Sequence, residues 1–410
     1  MGINVKVDDF YNALLLVDSL SKSNKMPYAL IKCEKETMSI CYSDQSKRVI
    51  KIISIDNEDD IEKSFMIPVD RALKIIYYCL GSDNTTTDII KLDIQDNVLK
   101  IEVEDKLSEA YGNEIENRQI GGLKYQLSIY DDLSKKEFGL TVRTDYSVCL
   151  NFDESADRWD TSILRDNLNK LKIDNSVKNI YVAGSISSMF AIGANQLSQF
   201  VIDTNIKSNF TIDIITASYV NDTLNKLKDT DYIIVQLHND GQFISFTSED
   251  RKCGIWVLSG RANSGDAMRY GIFTNPEFSY GAYSGMCLKD VLKKYADLVT
   301  SEDNNSNQRF SIVKHGDYAE VKFNLVSAGG SLSNEMTCLM MSFKMDDESL
   351  GDLNAYVVMK TLKDILNNCK GDWVGIKVNR NEDSCYLKIC DVVGDYEANA
   401  YHYTTLNLIN

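Results

Sequence analysis

No stretch of this 410-residue chain stays apolar for the roughly 18 residues that a membrane helix requires. The string FYNALLLVDSL near its start is broken by polar residues on a helical period, so it reads as a helix and not as a signal-peptide core. Prolines number three, which leaves few obligatory breaks. Ten cysteines are scattered without one CxxC pair, which speaks against a zinc cluster or a secreted disulfide scaffold. Reduced, buried thiols are expected instead. His238, His315 and His402 stand alone, and no HExxH occurs. No GxGxxG or Walker string is present, and SAGGSLSN falls between strands, where a hairpin turn is the natural assignment. Aspartates are abundant, but they sit at caps and turns, and no carboxylate dyad stands out. The chain therefore reads as no enzyme, without metal or cofactor, off the membrane and intracellular.

What is present is repetition. Length alone predicts two or three domains. IPVDRALKIIYYCL, ITASYVNDTLNKL and NAYVVMKTLKDIL each carry apolar residues at i, i+4 and i+7: Ala72, Ile76 and Cys79; Val220, Leu224 and Leu227; Val358, Leu362 and Ile365. Strand-like runs precede them (SFMI, FTIDII and MMSFKM). Alternating runs around polar turns follow, as in DIIKLDIQDNVLKIEV and YIIVQLHNDGQFISFT, a hairpin signal. A further amphipathic helix lies upstream of each. The order predicts three tandem α+β units, each with two helices packed on antiparallel sheets, at 1–108, 125–262 and 263–410. A linker spans 109–124, and a second connector covers Arg261 to Gly285. Tandem units leave strand edges open, and closing them edge to edge into a ring removes that liability.

The net charge of −16 at first opposes a polyanionic partner. Its distribution does not. Helix windows 8–25, 68–83, 160–172, 217–229, 286–297 and 354–370 carry fifteen basic and twelve acidic residues, a net +3, which leaves −19 for the rest. Aspartates cluster at helix starts, where they complement the dipole. Lysine and arginine then dominate the exposed remainder. Such helices form a wall that accepts a polyanion without reading its sequence.

Strand, striped helix and hairpin in this order, with MSICYSD in the first unit and CYLKICDVVGDYEANAYHYTTLNLI at the end, resemble the bacterial-type DNA sliding clamp, the beta subunit of DNA polymerase III. The resemblance covers nearly the whole chain and is carried by pattern rather than by a catalytic signature. It implies half of a closed ring, completed as a head-to-tail homodimer around duplex DNA. The DNA-facing residues it implies are Lys22, Lys25, Arg71, Lys74, Arg165, Lys170, Lys172, Lys226, Lys228, Lys289, Lys293, Lys294, Lys360 and Lys363. The implied dimer contact pairs Leu298 and Val299 with Leu107 and Tyr111. A cleft for a short peptide of the polymerase or clamp loader maps to Val182, Asn195, Gln196, Leu197, Tyr403, Thr404 and Leu406. There the chain departs from the family: its Gly-His-Arg-Leu string is Ala194, Asn195, Gln196 and Leu197 here, and the tail proline is lost near Thr405. The connector lacks the usual aromatic-proline string. These departures and the Asn/Asp/Lys-rich composition suggest a phage or mobile-element clamp acting in a bacterial host cytoplasm. Two rivals remain at this point: a clamp-like transcription or polymerase accessory subunit that does not encircle DNA, and a repeat-containing β-rich virion or structural protein.

Overall fold

The computed structural model describes residues 2–21, 27–44, 46–57, 62–80, 89–103, 123–131, 147–172, 176–193, 196–202, 206–227, 230–239, 241–274, 283–302, 307–316, 318–326, 333–345, 352–380, 385–393 and 396–408. One order of elements recurs three times: a strand, a helix, four strands, a helix and three strands. The first copy is Ile3–Lys6, α1 (Val7–Ser21), Tyr28–Cys33, Thr37–Ser43, Lys47–Asp56, Lys63–Pro68, α2 (Val69–Leu80), Ile89–Gln95, Val98–Val103 and Leu123–Ser128. The second is Asp157–Asp160, α3 (Thr161–Lys170), Asn179–Ala183, Ser188–Ile192, Gln196–Val201, Asn209–Asp213, α4 (Ile214–Leu224), Tyr232–His238, Phe243–Ser248 and Cys253–Leu258. Between the second and third copies lies α5 (Ser264–Thr274), which belongs to neither. The third is Tyr283–Leu288, α6 (Lys289–Glu302), Asn307–His315, Tyr318–Val326, Ser333–Met345, Leu353–Val358, α7 (Met359–Asn368), Trp373–Arg380, Cys385–Val393 and Tyr396–Leu408.

Of the predicted stripes, Ala72 and Ile76, Val220 and Leu224, and Leu362 and Ile365 are sealed from solvent, as is Leu227 beyond the end of α4, whereas Val358 is half-buried on a strand and the Cys79 side chain lies outside the described residues. Hairpin turns fall where polar residues interrupt the alternation. Asp96, Asn239 and Gly241 take positive φ of 50, 50 and 85°, the left-handed backbone that tight turns require. The third helix differs from its predicted span of 354–370. Residues Leu353–Val358 form a strand with alternating burial, and α7 begins only at Met359. The aromatic and β-branched run Tyr356–Val358 fits a pleat better than a helix. MMSFKM accordingly belongs to the preceding long strand, Ser333–Met345.

The chain clusters into two compact units, Met1–Arg165 with Ile215–Ser259, and Asp166–Ile214 with Gly260–Asn410. The first holds a 13-stranded sheet and the second a 12-stranded one. In the first unit α1 packs on α2, and Cys253–Leu258 joins its sheet to Lys47–Asp56 with Cys253 opposite Lys51 and Val257 opposite Lys47. Gly254 is required at that seam. A Cβ there would lie 2.0 Å from the carbonyl oxygen of Cys149, which also accepts a hydrogen bond from Thr247 at 3.0 Å. In the second unit α6 packs on α7 over a core that includes Tyr295, Phe310, Phe323, Leu362 and Ile365. There Gln196–Val201 pairs with Tyr396–Leu408, placing Gln196 opposite Thr404, Leu197 opposite Tyr403 and Ser198 opposite His402. Ser198 and His402 share a buried hydrogen bond, Oγ to Nδ1, of 2.8 Å.

Candidate functional site

The basic residues proposed to face DNA lie on or just beyond the repeat helices. In the first unit, Arg71 and Lys74 are exposed on α2, Lys226 is exposed past the end of α4, and Arg165 is half-buried on α3. In the second unit, Lys294 on α6 and Lys360 on α7 are exposed, whereas Lys170, Lys172, Lys289, Lys293 and Lys363 are half-buried. Lys22, Lys25 and Lys228 lie outside the described residues.

Several of these side chains already serve the fold. Lys289 Nζ donates to the carbonyls of Cys369 and Lys370 at 3.4 Å each, just past the end of α7, where a cation complements the helix dipole. Lys363 pairs with Asp297 at 3.0 Å and ties α7 to α6. Burial, and then the neighbouring Lys370, hold the Lys170 ammonium below its ordinary pKa. The exposed set can meet phosphate as mobile point charges, while these three are partly committed.

The cleft residues fall entirely in the second unit. Leu197 and Tyr403 face one another across the strand pair, flanked by Gln196 and Thr404, and both join a small apolar cluster with Ile192 and Phe273. Leu406 belongs instead to the core of the third repeat, and Val182, also buried, lies on Asn179–Ala183 outside that cluster. Asn195 is outside the described residues, as are Leu107 and Tyr111, while Leu298 and Val299 fall within the span of α6.

Sequence reasoning missed α5. Residues 261–285 read as a connector, yet Asn263 caps an eleven-residue helix, its Oδ1 accepting the backbone N–H of Gly265 at 3.0 Å. Only Asp266 and Phe273 are buried on it. Tyr181 donates its hydroxyl to Asp266 Oδ2 at 2.5 Å, and burial together with that carboxylate pushes the phenol pKa up. Tyr270 lies on Phe190 with centroids 4.4 Å apart, and Phe190 stacks on Tyr181 at 5.1 Å. Phe273 meets Tyr386 edge-on at 5.4 Å and Tyr403 at 6.1 Å. The string NSGD, with apolar residues at 268, 270, 272 and 273, was the available signal.

Among the described residues no three His, Cys, Asp or Glu side chains gather as a metal site, and no helix is long and apolar enough to cross a membrane. The nine described cysteines are buried and form no disulfide among themselves.

Threefold repetition of this element order, joined by strand pairs between copies, defines a clamp-type α+β fold. No protein-family model matches the sequence, and no curated protein matches it. Among solved structures the whole chain matches the whole of the DNA polymerase III subunit beta from Pseudomonas aeruginosa, at TM-score 0.70 and 11% identity. It likewise matches all of the DNA polymerase III beta subunit from Thermotoga maritima (TM-score 0.67, 13% identity) and of the H. pylori beta clamp in complex with 5-chloroisatin (0.67, 15%). The fold is that of the DNA polymerase III beta sliding clamps.

Proposed function

We propose that the chain is a DNA sliding clamp and polymerase processivity factor, with domains at 1–108, 125–262 and 263–410 and two copies closing a ring around duplex DNA. The observation that carries this reading is a rule shared by both strand seams. Each pairs the last strand of one repeat with the third central strand of the repeat before it: Cys253–Leu258 on Lys47–Asp56, and Tyr396–Leu408 on Gln196–Val201. The first repeat's last strand, Leu123–Ser128, pairs with Val98–Val103 and, among the described residues, ends its sheet. The third repeat's third central strand, Ser333–Met345, pairs over 333–340 with Tyr318–Val326, and no second partner for that stretch occurs among the described residues. Applied once more, the rule joins these two strands between copies, head to tail, and covers both of their edges.

In this reading the exposed lysines and arginines of the repeat helices turn toward the enclosed duplex. Their phosphate contacts are weak and interchangeable, so the ring slides. A polymerase and a clamp loader dock through a short peptide near Leu197 and Tyr403, and tethering raises their effective concentration on DNA. The low identity to bacterial clamps fits a phage or mobile-element lineage working in a bacterial cytoplasm.

The test uses mass and topology. The protein should have the mass of two chains, stay on linear duplex whose ends are blocked after threading, and slide off when the ends are free. Gln126→Pro, which removes an edge N–H and stiffens the edge strand, should yield monomers without retention. A wild-type protein that is monomeric and escapes from end-blocked DNA refutes the proposal.

A further inference from the structure

We propose that α5 is a built-in occupant of the peptide cleft: Phe273 fills the apolar pocket of Ile192, Leu197 and Tyr403, and a partner's side chain enters only as Phe273 leaves. The inference rests on the clamp reading, which is what makes these strands a partner surface. Phe273 is 7% exposed and sits among the two cross-strand neighbours that the cleft was expected to offer, with Tyr386 closing the side.

Among the described residues the helix is held to its sheet at few points, one of them a hydrogen bond between Tyr270 and Gln199. Near its start the Asp266 carboxylate takes the Tyr181 hydroxyl, midway Tyr270 lies on Phe190 and Arg269 Nη1 reaches the Gly193 carbonyl at 3.4 Å, and near its end Phe273 is inserted. Its outer face is open to solvent, with Met268 73% and Ile272 40% exposed. Gly265 and Gly271 lower its intrinsic helicity, and eleven residues are too few for a helix to persist unaided. Such an element belongs to the low-stability end of a fold, where local opening is frequent. While it is seated, the apparent affinity of any competing peptide falls by the fraction of molecules in which the pocket is open.

The experiment uses the full chain and one probe, a capped synthetic peptide of residues 264–274, SGDAMRYGIFT, titrated in trans. Phe273→Ala empties the pocket and should bind the peptide at least about tenfold more tightly than wild type does. The same peptide with alanine at its phenylalanine should lose that gain. Gly271→Ala should weaken binding to the wild-type background roughly fourfold, because the added methyl meets nothing within 4 Å and steadies α5. Asp266→Asn in the chain, which weakens the anchor of α5 and leaves the Tyr181 hydroxyl to the aspartate of the probe, should strengthen it. Equal affinity of folded Phe273→Ala and wild type overturns the proposal. Should Phe273→Ala not fold, unchanged affinity in both Gly271→Ala and Asp266→Asn overturns it equally. Retention of the wild-type protein on end-blocked DNA is read in parallel. Its loss sinks the clamp reading, whereas retention with a flat peptide series sinks only the plug.

Discussion

His402 should make the seam between Gln196–Val201 and Tyr396–Leu408 sensitive to acid. Its ring is fully buried, Nδ1 bonds Ser198 Oγ, Phe200 packs edge-on at 5.6 Å, and Nε2 has no hydrogen-bond partner among the described residues. Burial pulls its pKa down from 6.5 to about 4, against the weaker opposing pull of Asp391. Between those values the unfolded chain binds a proton that the folded chain refuses. Stability from this group is therefore complete above about pH 6.5 and declines as pH falls toward 4. The full loss is about 3 kcal/mol at 1.36 kcal/mol per pKa unit, a large part of a typical folding free energy of about 5–15 kcal/mol. The assay compares urea unfolding of wild type with the double variant Ser198→Ala/His402→Leu, which removes both hydrogen-bonding partners together. Carboxylate titrations elsewhere are common to both proteins and cancel in the difference. From pH 7.5 to 4.5 the variant should gain about 2–3 kcal/mol on wild type. Parallel pH profiles would show that the ring takes up its proton without cost, and the reasoning would fail.

Other consequences are tested more simply. Lys294→Glu with Lys360→Glu should shorten retention on end-blocked DNA and flatten its salt dependence by roughly two phosphate contacts, read from dissociation rates across a salt series. Lys289→Gln should instead act mainly on stability, lowering it by about 0.5–1 kcal/mol in urea melts, because its ammonium complements the end of α7. Gly254→Ala should destabilise the first seam by about 1–3 kcal/mol, since the new methyl collides with the Cys149 carbonyl, which is backbone and cannot swing aside.

Local signals revealed most of the architecture. Stripes such as Ala72 and Ile76, and turns such as Asp96–Asn97, are dictated within a few residues, so helices and hairpins were legible directly. The start of α7 was not, because Ala355–Val358 carries apolar residues that satisfy a helical stripe and a buried strand alike, and only pairing with Asn307–His315 decides between them. Partnering of Leu197 with Tyr403 joins positions some two hundred residues apart and reached the sequence reading through family resemblance rather than periodicity. Phe273 stayed hidden because a connector broken by glycines shows no sustained stripe. Its role depends on a pocket assembled by two distant strands. The division of lysines into exposed ones and ones bound to carbonyls or aspartate was equally invisible, since charge counts carry no information on where a flexible side chain ends.

In the proposed assembly the seam rule makes every copy directional, with one strand edge that gives and another that receives. Contacts of that kind have no built-in stopping number. Whether copies meet after one circuit or continue as a fibre depends on the bend accumulated from one repeat to the next. Substitutions remote from both strand edges, if they straighten that bend, should convert discrete particles into filaments while leaving each subunit correctly folded.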